Sequence, residues 1–229
     1  MPDDLAIVGA DNHYEFQDVR ATARFLELVE DRQPDTVVLA GDLVDEYTMS
    51  KFLRVPSEKT LNNEIQAAKK FLYQLRDIVP EADIVFTYGN HDQRLEKRII
   101  EKLPEIHGLI TLSGLLGCEE LGILVLGDIE GVNVYEWHDV LIGHFDKALK
   151  RAGATSYALM EQYWKNVAQP HAHRAGLSYT RRWDKEYWAC DVPCLCRLDP
   201  KFVKRPDWTQ GALVIEWDGK KTIPELVKF

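Results

Sequence analysis

Short apolar runs alternate with stretches of helical period through the N-terminal half of the chain. Leu5 to Ala10 is apolar throughout, as a strand covered on both faces must be, and it ends at Asp11. Val19, Ala23, Leu26 and Val29 then recur at helical spacing through about Asp31, and Pro34 and Asp35 break the pattern before a second apolar run, Thr36 to Ala40. The third unit repeats the form. Leu61, Ile65, Ala68, Leu72 and Leu75 line one helical face, Pro80 stops it, and Asp83 to Tyr88 is a strand leading into Gly89-Asn90. Leu95, Ile99 and Leu103 predict a further helix from Gln93 to about Leu103. This alternation implies right-handed crossovers and a parallel-leaning sheet, whose strand C-termini are the usual place for an active site.

Beyond Leu121 the pattern changes to strands with short connections: Leu121–Leu126, Val132–Glu136 and Val140–Ile142. A helix is predicted from about Thr155 to Val167, followed by strands at Gly176–Tyr179, Tyr187–Ala189 and Gly211–Trp217. These imply a second, mostly antiparallel sheet stacked on the first. With no repeat, low-complexity tract or linker, residues 1–229 are expected to form one domain.

A 45% hydrophobic, 28% charged composition is that of a packed globular protein and excludes extensive disorder. The net charge of -9 argues against a protein that coats nucleic acid through a broad basic surface, though not against an enzyme that cuts it, because two divalent cations reverse the potential at one point. The first residues carry acids where a secretory signal carries bases, and no apolar run approaches the ~20 residues of a membrane span. A cytoplasmic location, no membrane partner and reduced cysteines are therefore expected.

Chemistry-bearing residues collect in five clusters, each at or just after a predicted strand end. In Asp11-Asn12-His13 a carboxylate and an imidazole can face one cation, or the segment can be a capped turn. In Gly41-Asp42-Leu43-Val44-Asp45 the glycine permits a tight turn, Asp42 can bridge two cations, and Asp45 can accept bonds from the loop or orient a ligating histidine; helix capping is the alternative. Gly89-Asn90-His91-Asp92 is the most specific, with Asn90 as a neutral ligand and His91 as a general acid whose second nitrogen Asp92 holds; otherwise it is a polar turn. His144 ends a strand, with His138 as a rival. His171 and His173, at alternate residues of an extended segment, can serve two neighbouring metals.

As an ordered set, D-x-H, G-D-x-x-D, G-N-H-D, G-H and H-x-H from Asp11 to His173 resemble the calcineurin-like metallophosphoesterase superfamily. The resemblance implies an α/β fold of two stacked mixed β-sheets flanked by helices, a four-layer α/β/β/α sandwich. It also implies that Asp11, His13 and His173 hold one divalent ion, that Asn90, His144 and His171 hold a second, and that Asp42 bridges them. His91 would contact the scissile phosphate and assist the leaving oxygen, with Asp45 and Asp92 as supporting acids and a hydroxide between the ions as nucleophile. The family has Gly before its last His-x-His, where this chain has Pro170. Carboxylates and imidazoles without thiolate suit Mn, Fe, Zn, Ni or Co about equally well, so this chemistry does not choose among them; two divalent ions are expected, with Mn favoured.

Family protein phosphatases carry Arg-Gly after the second motif and Glu after Asn-His, whereas this chain has Glu46-Tyr47 and Asp92. Lipid-precursor hydrolases of the family have Arg where His91 stands. A phosphodiester is the expected substrate, with DNA or RNA as an alternative and a non-catalytic binding subunit as another. Arg94, with Lys97 and Arg98, and Arg174, with Arg181 and Arg182, can flank a phosphate, and Tyr14 can stack on a base. Glu46 to Lys59 has the placement of a substrate-selecting loop. Cys190, Cys194 and Cys196 lack finger or ribbon spacing, so structural zinc is not the expected reading there. The stretch Trp188–Trp217 is similar to phage-encoded phosphoesterases.

Overall fold

The computed structural model describes residues 4–14, 16–50, 60–131, 133–145, 147–199 and 206–229. Strands β1 (Asp4–Gly9), β2 (Thr36–Ala40), β3 (Asp83–Thr87) and β4 (Ile123–Leu126) run parallel side by side. The connections carry α1 (Val19–Arg32), α2 (Leu61–Ile78), α3 (Arg94–Lys102) and the short α4 (Leu112–Leu116). A second sheet holds β5 (Val134–Trp137), β6 (Val140–Gly143), β7 (Asn166–Gln169), β8 (Gly176–Arg182) and β9 (Lys185–Asp191), in the order β5-β6-β7-β9-β8. The chain then returns to the first sheet through β10 (Gly211–Trp217), antiparallel to β1, and β11 (Thr222–Lys228), antiparallel to β10.

The strand periodicity of two divides the first sheet between two cores. Ile7, Val37, Leu39, Ile84 and Phe86 face α1, α2 and α4 together with Phe25, Phe71, Leu72 and Leu116. Ala6, Val8, Val38, Ala40 and Val85 face the second sheet, where small alanines make room for Trp137 and Trp188. The outer face of the second sheet is covered by α5 (Ala154–Tyr163), with Leu159 and Met160 packed against Val167 and Ala189. The result is four layers, helices, sheet, sheet and helix, as the resemblance implied. Among the described residues no helix is long and apolar enough to cross a membrane.

Helix α1 starts where the Asp18 carboxylate accepts from the Arg20 and Ala21 N–H groups, two donors that would otherwise lack partners. It lays the fully buried Phe25 against Gly9, at which a Cβ would meet the ring at 2.6 Å. Phe25→Ala is therefore expected to lower unfolding free energy by about 3–5 kcal/mol, read from the shift of a urea midpoint at constant slope. A loss below about 1 kcal/mol would show that this core collapses around the cavity.

Three expectations need correction, and one strand was not foreseen. The predicted helix to Val167 ends at Tyr163, and Asn166–Gln169 is instead β7, parallel to both β6 and β9 in the middle of the second sheet. Asn166 carries the reason: its amide donates to Asp139 and Thr222 at 3.0 Å, and its oxygen accepts from Trp188 N at 2.9 Å. The second sheet is mixed rather than mostly antiparallel, because the β6-β7-β9 centre is parallel and only the edge strands β5 and β8 run against it. Gly211–Trp217 belongs to the first sheet. Finally, β11 gave no advance signal, since its Pro224 speaks against a strand and is tolerated only at a sheet edge.

Candidate metal centre

The loops after β1, β2, β3, β6 and β7 converge at one end of the sandwich, at the carboxyl ends of the parallel strands. The first two are laced together: Asp11 N donates to Gly41 O, His13 N to Asp42 O, Tyr14 N to Leu43 O and Asp45 N to Tyr14 O, all at 2.9–3.0 Å. Two glycines are required by contact. A Cβ on Gly41, whose φ is +89°, would lie 2.5 Å from the Cβ of His144, and one on Gly89 would lie 2.2 Å from Asp42 Oδ1.

Each central carboxylate spends one oxygen on the backbone and turns the other inward. Asp11 Oδ2 accepts from His171 N at 3.0 Å, while Oδ1 lies 3.4 Å from both His144 Nε2 and His173 Nε2. Asp42 Oδ1 accepts from His91 N at 2.8 Å, while Oδ2 lies 3.2 Å from His144 Nε2 and 3.7 Å from His13 Nε2. Ligating atoms of Asp11, His13 and His173 fall within 4.8 Å of one another, as do those of Asp42, His144 and His171. His171 reaches this place despite Pro170, its ring lying edge-on to His144 at 4.6 Å.

These residues fit a pair of cations by chemistry and by spacing. Asp11 Oδ1 and Asn90 Oδ1 are buried acceptors that receive no hydrogen bond, a costly arrangement unless a positive charge compensates. His13 Nε2 and His173 Nε2 stand 3.2 Å apart, and two imidazole nitrogens bound to one cation at about 2.0–2.1 Å are separated by a similar distance. Asp11, His13, Asp42, His171 and His173 all have positive φ, between 46° and 70°. Left-handed backbone costs roughly 1–2 kcal/mol per residue, and such strain concentrates at functional sites.

The electrostatics agree at Asp42, His13 and His171 and run the other way at His173. Burial acts against ionised Asp42, yet His144, His91 and His13 outweigh it and hold the carboxyl well below its usual range. Burial, with the nearby rings of His91 and His144 respectively, lowers His13 and His171, favouring the neutral imidazole that a metal needs. In His173 the charge of Asp11 overcomes burial and raises the pKa.

The supporting residues differ from expectation. Asp45, not Asp92, holds the second nitrogen of His91, with Nδ1 to Oδ1 at 2.7 Å; the same oxygen lies 3.0 Å from His13 Nδ1. Asp92 accepts from Gly89 N and Val44 N at 2.8 and 3.1 Å, so it anchors two loops and does not reach the imidazole. Burial, then repulsion from Asp42, pushes its carboxyl up to about 7. Tyr14 is no base-stacking residue, since its ring is buried against Phe71 in the helical core. Arg174 is bound to Asp207 at 2.7 Å and to the carbonyls of Leu149 and Ala172.

Arg94 does face the centre, with Nη2 2.8 Å from His91 Nε2 and Nη1 donating to Asp45 O at 2.7 Å. His138 stands apart, bonded to Asp4 and stacked on Trp217. Of the Glu46–Lys59 segment, residues 47–49 form a single 3-10 turn, and 51–59 lie outside the described residues.

One contact escaped sequence reading. Cys196 Sγ lies 3.7 Å from His173 Nδ1, on the side of the ring opposite Asp11, where it can accept a hydrogen bond from Nδ1–H and so leave Nε2 as a ligand. Cys194 lies beside it, whereas Cys190 packs between the sheets, so the three cysteines do not converge. The two residues lie far apart in the chain, and no local spacing marks the pair.

The chain is 26% identical over 238 residues to the Gene 54 protein of Mycobacterium phage D29, covering 96% of this chain and 92% of that protein. It is 24% identical over 237 residues to the Gene 54 protein of Mycobacterium phage L5, with the same coverage. Among solved structures it is similar to the phosphoesterase Yfce from E. coli, with a TM-score of 0.44, 11% identity, and coverage of 98% of this chain and 100% of that one. The family model for calcineurin-like phosphoesterases matches residues 7–206, most of the chain and all five motif clusters, and the protein belongs to that family.

Proposed function

We propose that the protein hydrolyses phosphodiesters with two divalent metal ions, Mn favoured, held by Asp11, His13 and His173 on one side and Asn90, His144 and His171 on the other, with Asp42 shared. The observation that carries this reading is the convergence of two ligand groups on the inward oxygens of Asp11 and Asp42, which lie within 3.4 Å of His144 Nε2. When bound, such an ion pair supplies an acidified water and a clamp on the phosphoryl oxygens.

The chain's own groups account for the rest. Asp45 orients His91 by accepting its Nδ1–H, which leaves Nε2 facing the substrate space beside Asp42 Oδ2, 4.0 Å away. On substrate entry, Arg94 exchanges its contact with His91 Nε2 for a phosphoryl oxygen, and the freed Nε2 takes a proton from solvent and passes it to the leaving oxygen. Glu46-Tyr47 and Asp92, in place of the protein-phosphatase residues, favour a diester over a phosphoprotein.

The protein purified with Mn is expected to contain two divalent ions per chain and to hydrolyse bis(p-nitrophenyl) phosphate faster than p-nitrophenyl phosphate. A chelator should abolish this and Mn should restore it. Absence of bound metal together with absence of hydrolysis would end the proposal; preference for the monoester would remove the diester assignment alone.

A further inference from the structure

Helix α3 leaves the metal centre with a basic stripe. Arg94, Lys97 and Arg98 recur at the i, i+3, i+4 spacing that places side chains on one helical face. All three line a cavity of about 260 Å³ that also includes Glu101 and Asn90, whose Oδ1 is buried without a hydrogen-bond partner. Three cations against one acid give this cavity a surplus of positive charge on a protein whose net charge is -9. Arg94 is already committed to His91 and the Asp45 carbonyl, whereas Lys97 and Arg98 lie exposed about one turn along the helix, roughly 5.4 Å farther from the reacting centre.

We infer that the α3 wall of this cavity binds a second phosphate of the substrate, held by Lys97 and Arg98 beside the phosphate being cleaved. The inference rests on the phosphodiesterase reading and narrows it to substrates carrying adjacent phosphates. A guanidinium and an ammonium around a cavity match the oxygens of a phosphate, while the hydrogen bond from Lys97 Nζ to Gln93 Oε1 at 2.6 Å and the ion pair of Arg98 with Glu101 at 3.7 Å hold the two cations along the wall. An adjacent phosphate has two chemical sources, the next nucleotide of a strand or a pyrophosphate link.

The test is equilibrium binding by calorimetry to the Mn-loaded protein, using thymidine 5′-monophosphate, thymidine 3′,5′-bisphosphate and thymidine 5′-diphosphate. The wild type is expected to bind one of the two-phosphate probes at least about tenfold tighter than the monophosphate, with an advantage that shrinks as salt is raised. Preference for the bisphosphate identifies a nucleotide strand, and preference for the diphosphate a pyrophosphate link. The double variant Lys97→Glu, Arg98→Glu, and its milder form Lys97→Gln, Arg98→Gln, should lose the advantage, while Lys228→Glu on the distant strand β11 keeps it. Equal affinities in the wild type, or an advantage that survives both double variants, overturns the inference. Tight bisphosphate binding without hydrolysis of bis(p-nitrophenyl) phosphate would instead sink the catalytic reading and leave the phosphate site standing.

Discussion

Replacing Asp42 by Asn is expected to strip divalent metal from the protein and to cut kcat/KM for bis(p-nitrophenyl) phosphate by about 10³-fold or more. The two oxygens of Asp42 do different work. Oδ1 accepts from His91 N, and an amide oxygen can keep that bond, so the loop after β3 stays in place. Oδ2 faces His144 and His13 from opposite ligand groups, and an NH2 there brings donors and no charge. The cost therefore falls on metal binding rather than on folding. Metal analysis and steady-state kinetics, with circular dichroism to verify the fold, read the two effects separately. Full metal content with wild-type turnover would remove Asp42 from the centre.

His91→Ala has the opposite signature: kcat falls by about 10²–10⁴-fold while bound metal is retained. On the proposed assignment His91 stands beside the ligands without being one of them, and its ring is set by Asp45 at 2.7 Å. Burial works against its charged form, but Asp42 and Asp45 outweigh burial and raise its pKa above that of a free imidazole. An acid with a raised pKa is depleted only as pH climbs past that value. Wild-type kcat should accordingly decline on the alkaline side, and this limb should be missing in His91→Ala. Loss of metal in the variant would make His91 a ligand; an unchanged pH profile would remove it as the proton donor.

Local chemistry explains how much of the site could be read from the chain. Asp11, His13, Asp42, Asn90, His144, His171 and His173 belong to short motifs at strand ends, and a parallel sheet brings strand ends to one edge whatever the details of packing. Supporting contacts follow a different logic. Asp92 adjoins His91 in sequence, which suggested that it holds the ring, but consecutive residues in a turn point apart, and Asp45 from the preceding motif takes that position. Tyr14 adjoins a ligand yet turns into the helical core against Phe71. Neither outcome is written in the spacing of residues.

The hydrophobic pattern and the motif order by themselves determined the alternating strands and helices of the first half, the two-sheet architecture through family resemblance, and which side chains are candidates for the chemistry. Tertiary structure alone decided that Asn166 opens a central strand, that β10 returns to β1, that Asp45 serves both His13 and His91, and that Cys196 backs His173. The division has one cause. A strand's burial and a residue's chemical type are properties of a few neighbouring positions, whereas a hydrogen bond between loops depends on how separately formed layers pack and on left-handed turns that only the assembled fold holds in place.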